Sequence, residues 1–443
     1  MTELKRALGP LHLWGIAVGL VISGDYFGWN YGVKEAGPVG MAIATALATA
    51  LFIPFIFSYT ELATAIPHSG GPFAYAERAL GRWGALVAGF ATVVEFVFAP
   101  PAIARAIGSY INFRFGLPVT SVAIAAFVIF GVINALGVSL AASFELVITL
   151  LATGELLLYF GLTGGHIDWS RFALHGAANP LPAGWSGVFA ALPFGIWFYL
   201  GIEGVAMSAE ETKHPARDIP RGYVAGILTL VLLATGTLLC TVGVLPQDEL
   251  VRDDSPLPRA LAKVLSPSHP MTHLMVYLGL FGLIASFHGI LMGYSRQIFA
   301  LGRAGYLPSL FARLHPRFRT PVAAIFLPGI VGALCVLPER TDTLIALSGL
   351  GAVLVYGTSM VSLLVLRRRE PQLERPYRAP LYPWFPVAAL VLSVLIFVAF
   401  AASSPMALGL LVGLFALALA HFLLVTRPKL QRTPGTAGPI SPA

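Results

Sequence analysis

The chain has 443 residues, of which 57% are hydrophobic and 11% charged, with a mean hydropathy of +0.79. Soluble chains carry about 25% charged residues. Too few polar side chains remain here to cover a water-facing surface, which excludes a cytosolic enzyme, a nucleic-acid-binding protein and a disordered chain. The net charge of +7 is therefore weighed first against the distribution of Lys and Arg around membrane spans.

Twelve apolar stretches follow in chain order, at about 12–36, 39–66, 83–112, 120–138, 142–164, 187–209, 222–246, 271–302, 321–338, 342–366, 382–401 and 406–426. A bilayer span needs about 20 apolar residues as a helix. None of the stretches alternates as barrel strands of ~10 residues do. The expected fold class is an all-α integral membrane protein with 12 transmembrane helices. Residues 1–11 read as a cytoplasmic N-terminus with no cleavage site before the first span, so that span is expected to be retained. The longest connections, 165–186 and 247–270, are too short for a separate domain. The tail 427–443 is rich in Pro and Gly and is expected to be disordered. Cys240 and Cys335 lie in apolar stretches, so neither a disulfide nor a metal site is readable, and no cofactor is expected.

With both termini inside, twenty Lys and Arg fall in inner segments and eight in outer ones. The inner set includes Lys5, Arg6, Arg78, Arg82, Arg296, Arg303, Arg367–Arg369, Lys429 and Arg432. This asymmetry predicts cytoplasmic termini and absorbs the basic excess, leaving no nucleic-acid partner. The Arg367–Arg369 cluster reads as the stop signal after span 10 or as a contact for anionic lipid.

A charge at bilayer depth costs about 2.5–3.5 kcal/mol or more, so an intramembrane carboxylate is a functional candidate. Five occur: Asp25 in span 1, Glu95 in span 3, Glu145 and Glu155 in span 5, and Glu203 in span 6. No Lys or Arg lies deep enough to pair with them, and Arg105, Arg296 and Arg303 are placed to reach toward the membrane surfaces. Span 1 carries Gly15, Gly19, Gly24, Gly28 and Gly32, with Ser23-Gly24-Asp25 near its midpoint; span 6 carries Pro193, Gly195, Gly201, Glu203 and Gly204. Interrupted helices at membrane depth survive where they line a buried cavity. Breaks in the first and sixth spans point to an inverted-repeat transporter with a midplane site; glycines that merely admit close helix packing are the alternative.

Pro100-Pro101 is expected to distort the outer half of span 3. Glu95 reads either as a ligand or as a protonated acid bonded between helices. Glu145 and Glu155 point about 80° apart on their helix, so they are not one site. Glu145 reads as a wet side chain near the cytoplasmic end and Glu155 as the better proton relay. His288 in span 8 reads as an interior hydrogen-bonded side chain or a proton carrier. Tyr26, Phe27 and Trp29 accompany Asp25, and Trp197, Phe198 and Tyr199 precede Glu203. A ring face attracts an ammonium by ~0.5–2 kcal/mol, and of these rings Trp197 is the one singled out for that role.

Four stretches in order resemble the amino acid–polyamine–organocation superfamily. They are Ser23-Gly24 with Phe27; Pro67-His68-Ser69-Gly70-Gly71-Pro72-Phe73-Ala74-Tyr75 with Leu80-Gly81; Gly201-Ile202-Glu203 with Trp197 before it and Glu211 through Arg221 after it; and Ser295-Arg296-Gln297 with Arg303-Ala304-Gly305-Tyr306-Leu307-Pro308. Within it, Ile22 to Asn30, Phe144-Glu145-Leu146, Glu155-Leu156 and Ala285 to Gly289 resemble the ethanolamine permease group. The resemblance implies a 5+5 inverted repeat (12–164 and 187–366) with interrupted helices 1 and 6, two further helices (382–426), and secondary transport of a small amine. Where amino-acid permeases of the superfamily offer backbone N–H groups to a substrate carboxylate, Asp25 stands close by. Two such charges ~4 Å apart repel by about 4 kcal/mol at an effective dielectric of about 20, which disfavours an amino acid and favours an amine. Some proton-coupled relatives carry a lysine in span 5 where this chain has Ala152.

The expectation is an alternating-access importer of ethanolamine or a similar small amine, in the inner membrane, with a proton or sodium as the coupling-ion candidates and exchange against a counter-substrate left open. Its substrate site comprises Ser23, Gly24, Asp25, Phe27, Glu95, Trp197, Gly201 and Glu203, with Glu203, Glu155 and His288 as proton-coupling candidates. The alternatives are a neutral or cationic amino-acid permease or exchanger, then a membrane-embedded enzyme or a channel. Against an enzyme stands the lack of any assembled nucleophile or metal set.

Overall fold

The computed structural model describes residues 6–137, 141–172, 181–252 and 254–428, with backbone alone at 141 and 142. Lys5, Lys429, Arg432 and the tail beyond 428 lie outside the described residues, so the reading of that tail is not addressed. Among the described residues the chain is helical, apart from one isolated bridge between Leu8 and Thr212.

Twelve passes can be followed. Span 1 consists of Pro10–Val21 and the single turn Ser23–Tyr26, and resumes in a helix, Asn30–Ala65, whose course breaks at Gly37 to begin span 2. Span 3 is the part of Pro72–Phe115 beyond a break at Gly81. Spans 4 and 5 are Val119–Leu136 and Ala141–Thr163. Span 6 is split into Gly184–Trp197 and a 3₁₀ stretch, Ile202–Glu211. Spans 7 to 10 are Pro215–Val244, Pro270–Arg303, Val322–Cys335 and Thr341–Arg369. Spans 11 and 12 are Trp384–Ser403 and Pro405–His421. Among the described residues, ten helical stretches are long and apolar enough to cross a membrane, span 6 being counted across its break as Gly184–Glu211. Span 1 escapes that count because it is in pieces, and span 9 because it has 14 residues. Proline opens spans 1, 7, 8 and 12 in the first turn, where its missing N–H has no partner to lose.

Burial is inverted relative to a soluble protein. Val128, Leu334, Val398, Leu417 and Leu424 are mostly exposed on the outside, while serines, threonines and carboxylates are buried within. Lipid is the solvent that such a surface matches. The apolar stretch of span 6 is 89% buried and that of span 12 is 17% buried, so the interrupted helices form the centre and the last two spans the periphery. Pro100 and Pro101 do not break span 3. The helix runs through both, and its one non-helical residue is Gly81, which the sequence reading names within a motif but not as a break.

Ion pairs tie the helix ends at both faces. On the face where the termini lie, Arg367 grips the fully buried Glu61 carboxylate through Nε and Nη2 at 2.6 and 2.7 Å. Arg375 Nε stands 3.2 Å from the same group and the Ala379 N–H donates to it at 2.7 Å. Arg369 donates to the Ala79 carbonyl, Arg78 pairs with Glu370, and Arg296 pairs with Glu211 at 2.9 Å. Arg367 and Arg369 are thus engaged by protein and are not free for lipid headgroups. On the opposite face the buried Asp254 accepts from Tyr31 at 2.7 Å and Thr341 at 3.1 Å, with Arg105 4.0 Å away. Arg105 also donates to Thr341 and meets Glu339 at 3.6 Å. Arg105 and Arg296 therefore pair with carboxylates instead of reaching for the surface, whereas Arg303 lies over the Phe299 ring.

Candidate functional site

The two interruptions pack on each other. A Cβ on Gly24 would overlap the Trp197 carbonyl, and one on Gly28 would meet the Trp197 indole. The backbone of span 1 can approach span 6 this closely only because glycine has no side chain. Phe27 is extended and Gly28 has φ 92°, so the chain unwinds over Phe27–Trp29. Span 6 unwinds after Trp197, with Gly201 at φ 97°. The main unwound stretch of span 1 thus lies just beyond Asp25, and Ser23, Gly24 and Asp25 themselves form one helical turn. That turn is severed from the helix below by a foreign side chain. The Ser286 hydroxyl of span 8 donates to the Gly19 carbonyl at 2.7 Å and accepts from the Ser23 N–H at 3.0 Å. Serine thereby fills the gap in the helical ladder at this turn, and both backbone groups stay satisfied.

Asp25, Glu95 and Glu203 have no exposed surface, and none of their carboxylate oxygens has a hydrogen-bond partner of good geometry. Asp25 stands within electrostatic range of the Tyr199 phenol, which shares a 2.6 Å hydrogen bond with Thr49. Its own carbonyl accepts from the Trp29 indole at 3.1 Å. Glu95 and Glu203 face each other across spans 3 and 6, with Tyr356 of span 10 beside Glu203. Their backbones are held by Ser348, which donates to the Glu95 carbonyl, and Tyr223, which donates to the Glu203 carbonyl. A narrow void, too small to admit a water molecule, is lined by Glu95, Phe96, Ala99, Leu200, Gly201 and Ile290. The sequence-expected residues therefore fall into two neighbourhoods. Glu95, Gly201 and Glu203 gather at or beside the void. Ser23, Gly24, Asp25, Phe27 and Trp197 gather at the crossing of the two breaks, and none of these five lines the void.

Trp197 is buried, meets Phe27 edge to face at 5.5 Å between centroids, and leaves its indole N–H without a partner. Trp29 stacks on Phe198 at 5.9 Å. Glu155 accepts from the Tyr26 hydroxyl at 2.7 Å, and the same hydroxyl lies 3.2 Å from the Ala152 carbonyl. Glu155 is thus linked to the residue next to Asp25. Glu145 is not wet. It is 4% exposed, and both its oxygens are buried without partners against span 1. The His288 ring Nδ1 lies 3.0 Å from the Asn134 side-chain nitrogen, an interior hydrogen bond. Sequence reasoning did not single out Tyr356, Tyr199, Asp254 or Glu61. The signal was present, since a phenol or carboxylate in an apolar helix needs a partner when buried. No group of three or more His, Cys, Asp or Glu suited to a metal occurs among the described residues.

Residues 8–424 match the sequence profile described as amino acid permease. The chain belongs to the amino acid permease family. It is 32% identical to an uncharacterized transporter of Rhizobium meliloti, over 89% of this chain and 85% of that one. It is 26% identical to the branched-chain amino acid permease BcaP of Bacillus subtilis, over 88% and 87%. A solved structure of Mhp1, a nucleobase-cation-symport-1 family transporter in a closed conformation with bromovinylhydantoin bound, shares its fold. The TM-score is 0.57 at 15% identity, over 90% of this chain and 94% of that one. The permease is thus a multi-span membrane protein of a transporter family, and its relatives are transporters, not enzymes.

Proposed function

We propose that this permease is a secondary active importer of ethanolamine or a similar small amine. The observation that carries the reading is the set of buried, unpartnered carboxylates Asp25, Glu95 and Glu203 around the two helix breaks. Ionised, each would cost several kcal/mol without a counter-charge; an ammonium cargo or a proton supplies one. Asp25 is the anionic partner of the ammonium, with Ser23 and carbonyls near Gly24 completing its hydrogen bonds. Trp197 and Phe27 supply ring faces. Glu203 links binding to movement of span 6, and Glu95 lies opposite it as a second acidic contact. Glu155 reports on Asp25 through Tyr26, and His288 is the weakest of the coupling candidates because Asn134 already occupies its Nδ1. The driving ion is a proton or sodium, the protein sits in the inner membrane with both termini cytoplasmic, and the two breaks rock open to alternate faces.

The second reading is an amino-acid permease, favoured by the family and by its branched-chain relative. Uptake into proteoliposomes separates the two. Labelled ethanolamine should enter, alanine and arginine should compete poorly, and Asp25→Asn should abolish entry. Near-normal ethanolamine uptake by Asp25→Asn, or uptake of alanine or arginine with no response to ethanolamine, would overturn the amine reading.

A further inference from the structure

The lower half of span 1, Pro10–Val21, rests on span 5. Leu146 packs on Gly15, and Thr149 donates to the Gly15 carbonyl at 3.2 Å. The Glu145 carboxyl lies directly against Gly19, and its Oε1 is 3.5 Å from where a Cβ on Gly289 of span 8 would stand. Three helices therefore close over one carboxyl that has no hydrogen-bond partner.

Among the described residues no side chain bonds to it. On span 1 the nearest titratable side chains are Asp25, six residues up the chain from Gly19 and beyond the gap at Ser23, and His12, seven residues down, each about 9–10 Å away along the axis. On span 8 the neighbour His288 is engaged by Asn134. On span 5 itself Glu155 is three turns on and bonded to Tyr26. Span 7 brings Tyr223 and Cys240, the first bonded to the Glu203 carbonyl, and at its terminal-face end, where Gly222 packs on Leu13, Arg221 and the paired Arg217 and Asp218. The loop helix Pro256–Val264, with Arg259 and Lys263, packs near the opposite end of span 5.

We propose that Glu145 is a proton-binding site that couples the swing of Pro10–Val21 to proton release at the terminal face. It rests on the alternating-access reading above and adds a residue to it. With the lower helix packed down, the carboxyl is dry and carries its proton. When the helix swings away, water reaches the group and the proton leaves to the cytoplasm. The resulting charge resists re-closure until a proton returns. Gly19 is one turn below Ser23, so a site open to the other face reaches Glu145 through the break. The sign follows: a rise in cytoplasmic pH favours the open lower helix, and a fall favours the closed one.

The test uses the full-length permease in proteoliposomes with Cys240 and Cys335 replaced by alanine. A cysteine at Leu13, which is buried on the lower helix, reports opening through modification by a water-soluble maleimide, with no substrate present. Modification, normalised at each pH to that of a fully exposed cysteine because thiolate reactivity itself rises with pH, should accelerate at least about threefold from mildly acidic to mildly basic pH, and Glu145→Gln, which mimics the protonated acid, should flatten that normalised profile. Labelled ethanolamine should accumulate under an inward proton gradient in the parent, and Glu145→Gln should reduce accumulation about tenfold while still exchanging labelled for unlabelled substrate. If Glu145→Gln does not fold, Glu145→Asp should keep the pH response with a displaced midpoint. A flat profile in the parent, or a Glu145→Gln or Glu145→Asp profile identical to the parent's, overturns the proton site. A pH-responsive profile without ethanolamine uptake overturns the cargo and leaves the proton site standing.

Discussion

Replacing Ser286 by alanine tests whether a side chain from span 8 holds span 1 open. The hydroxyl serves two buried backbone groups, the Gly19 carbonyl at 2.7 Å and the Ser23 N–H at 3.0 Å. Stranding a buried donor or acceptor costs about 1–3 kcal/mol each, so the full loss is about 2–6 kcal/mol. Those two groups are four residues apart, the natural pair of an α-helix. If the turn rewinds they bond to each other, recovering one hydrogen bond and leaving a loss of about 1–3 kcal/mol. Rewinding, however, closes the gap that separates Ser23–Tyr26 from the helix below. The expected result is a Ser286→Ala protein that folds, melts earlier by an amount equivalent to about 1–3 kcal/mol, and takes up substrate at least about tenfold more slowly. Thermal unfolding of the purified chain in detergent and uptake in proteoliposomes measure the two effects. Wild-type melting together with wild-type uptake would show that the ladder gap does not depend on this hydroxyl.

Three further outcomes follow from the same geometry. Gly24→Ala sets a Cβ against the Trp197 carbonyl, a backbone atom that cannot turn aside, and should abolish uptake while the protein still reaches the membrane, as read by uptake against surface-normalised protein. Glu61→Ala removes the carboxylate that Arg367, Arg375 and the Ala379 N–H share; truncating one partner of a buried ion pair costs about 3–5 kcal/mol, to be read as a lowered melting temperature. Asp254→Ala unties Tyr31 and Thr341 on the face opposite the termini and should raise the reactivity of a cysteine at Phe27 toward a thiol reagent applied from that side.

What was legible in the sequence was what a single helix can reveal. Runs of apolar residues marked the twelve passes, and glycines beside an acid marked both interruptions. What escaped were facts that depend on a second helix. Ser286 in an apolar span is unremarkable until it is seen to enter the ladder of span 1. Position along span 5 places Glu145 near the membrane surface and so predicts a wet side chain, whereas its burial comes from Gly15 and Gly19 letting span 1 pack close. Ser23-Gly24, with its weak helix propensity, marks the gap in the ladder of span 1, while the longer unwound stretch, Phe27 to Trp29, lies where span 6 crosses. Pro100-Pro101 suggests a distortion because a proline within a helix removes a donor, yet helical backbone continues through both.

The charges are sorted by depth, and the sorting bears on which face opens first. Arg78, Arg105, Arg296 and Arg367, near the two faces, each meet a carboxylate. The carboxylates at the breaks meet none. Unpaired carboxyls at depth lower stability, a cost that the proposed ammonium cargo or proton would offset. The latches differ in strength. Arg296 and Glu211, which join span 8 to the exit of span 6, are a third and a quarter exposed, and pairs so exposed contribute about 0–1 kcal/mol. Asp254 on the other face is 4% exposed by its side chain and bonded to both Tyr31 and Thr341. The seam between spans 6 and 8 at the terminal face is therefore the cheaper of these two to part. That seam joins the end of the 3₁₀ segment of span 6, whose cap Thr212 is bridged to Leu8, and the N-terminal segment through Leu8 leads into the lower helix that covers Glu145.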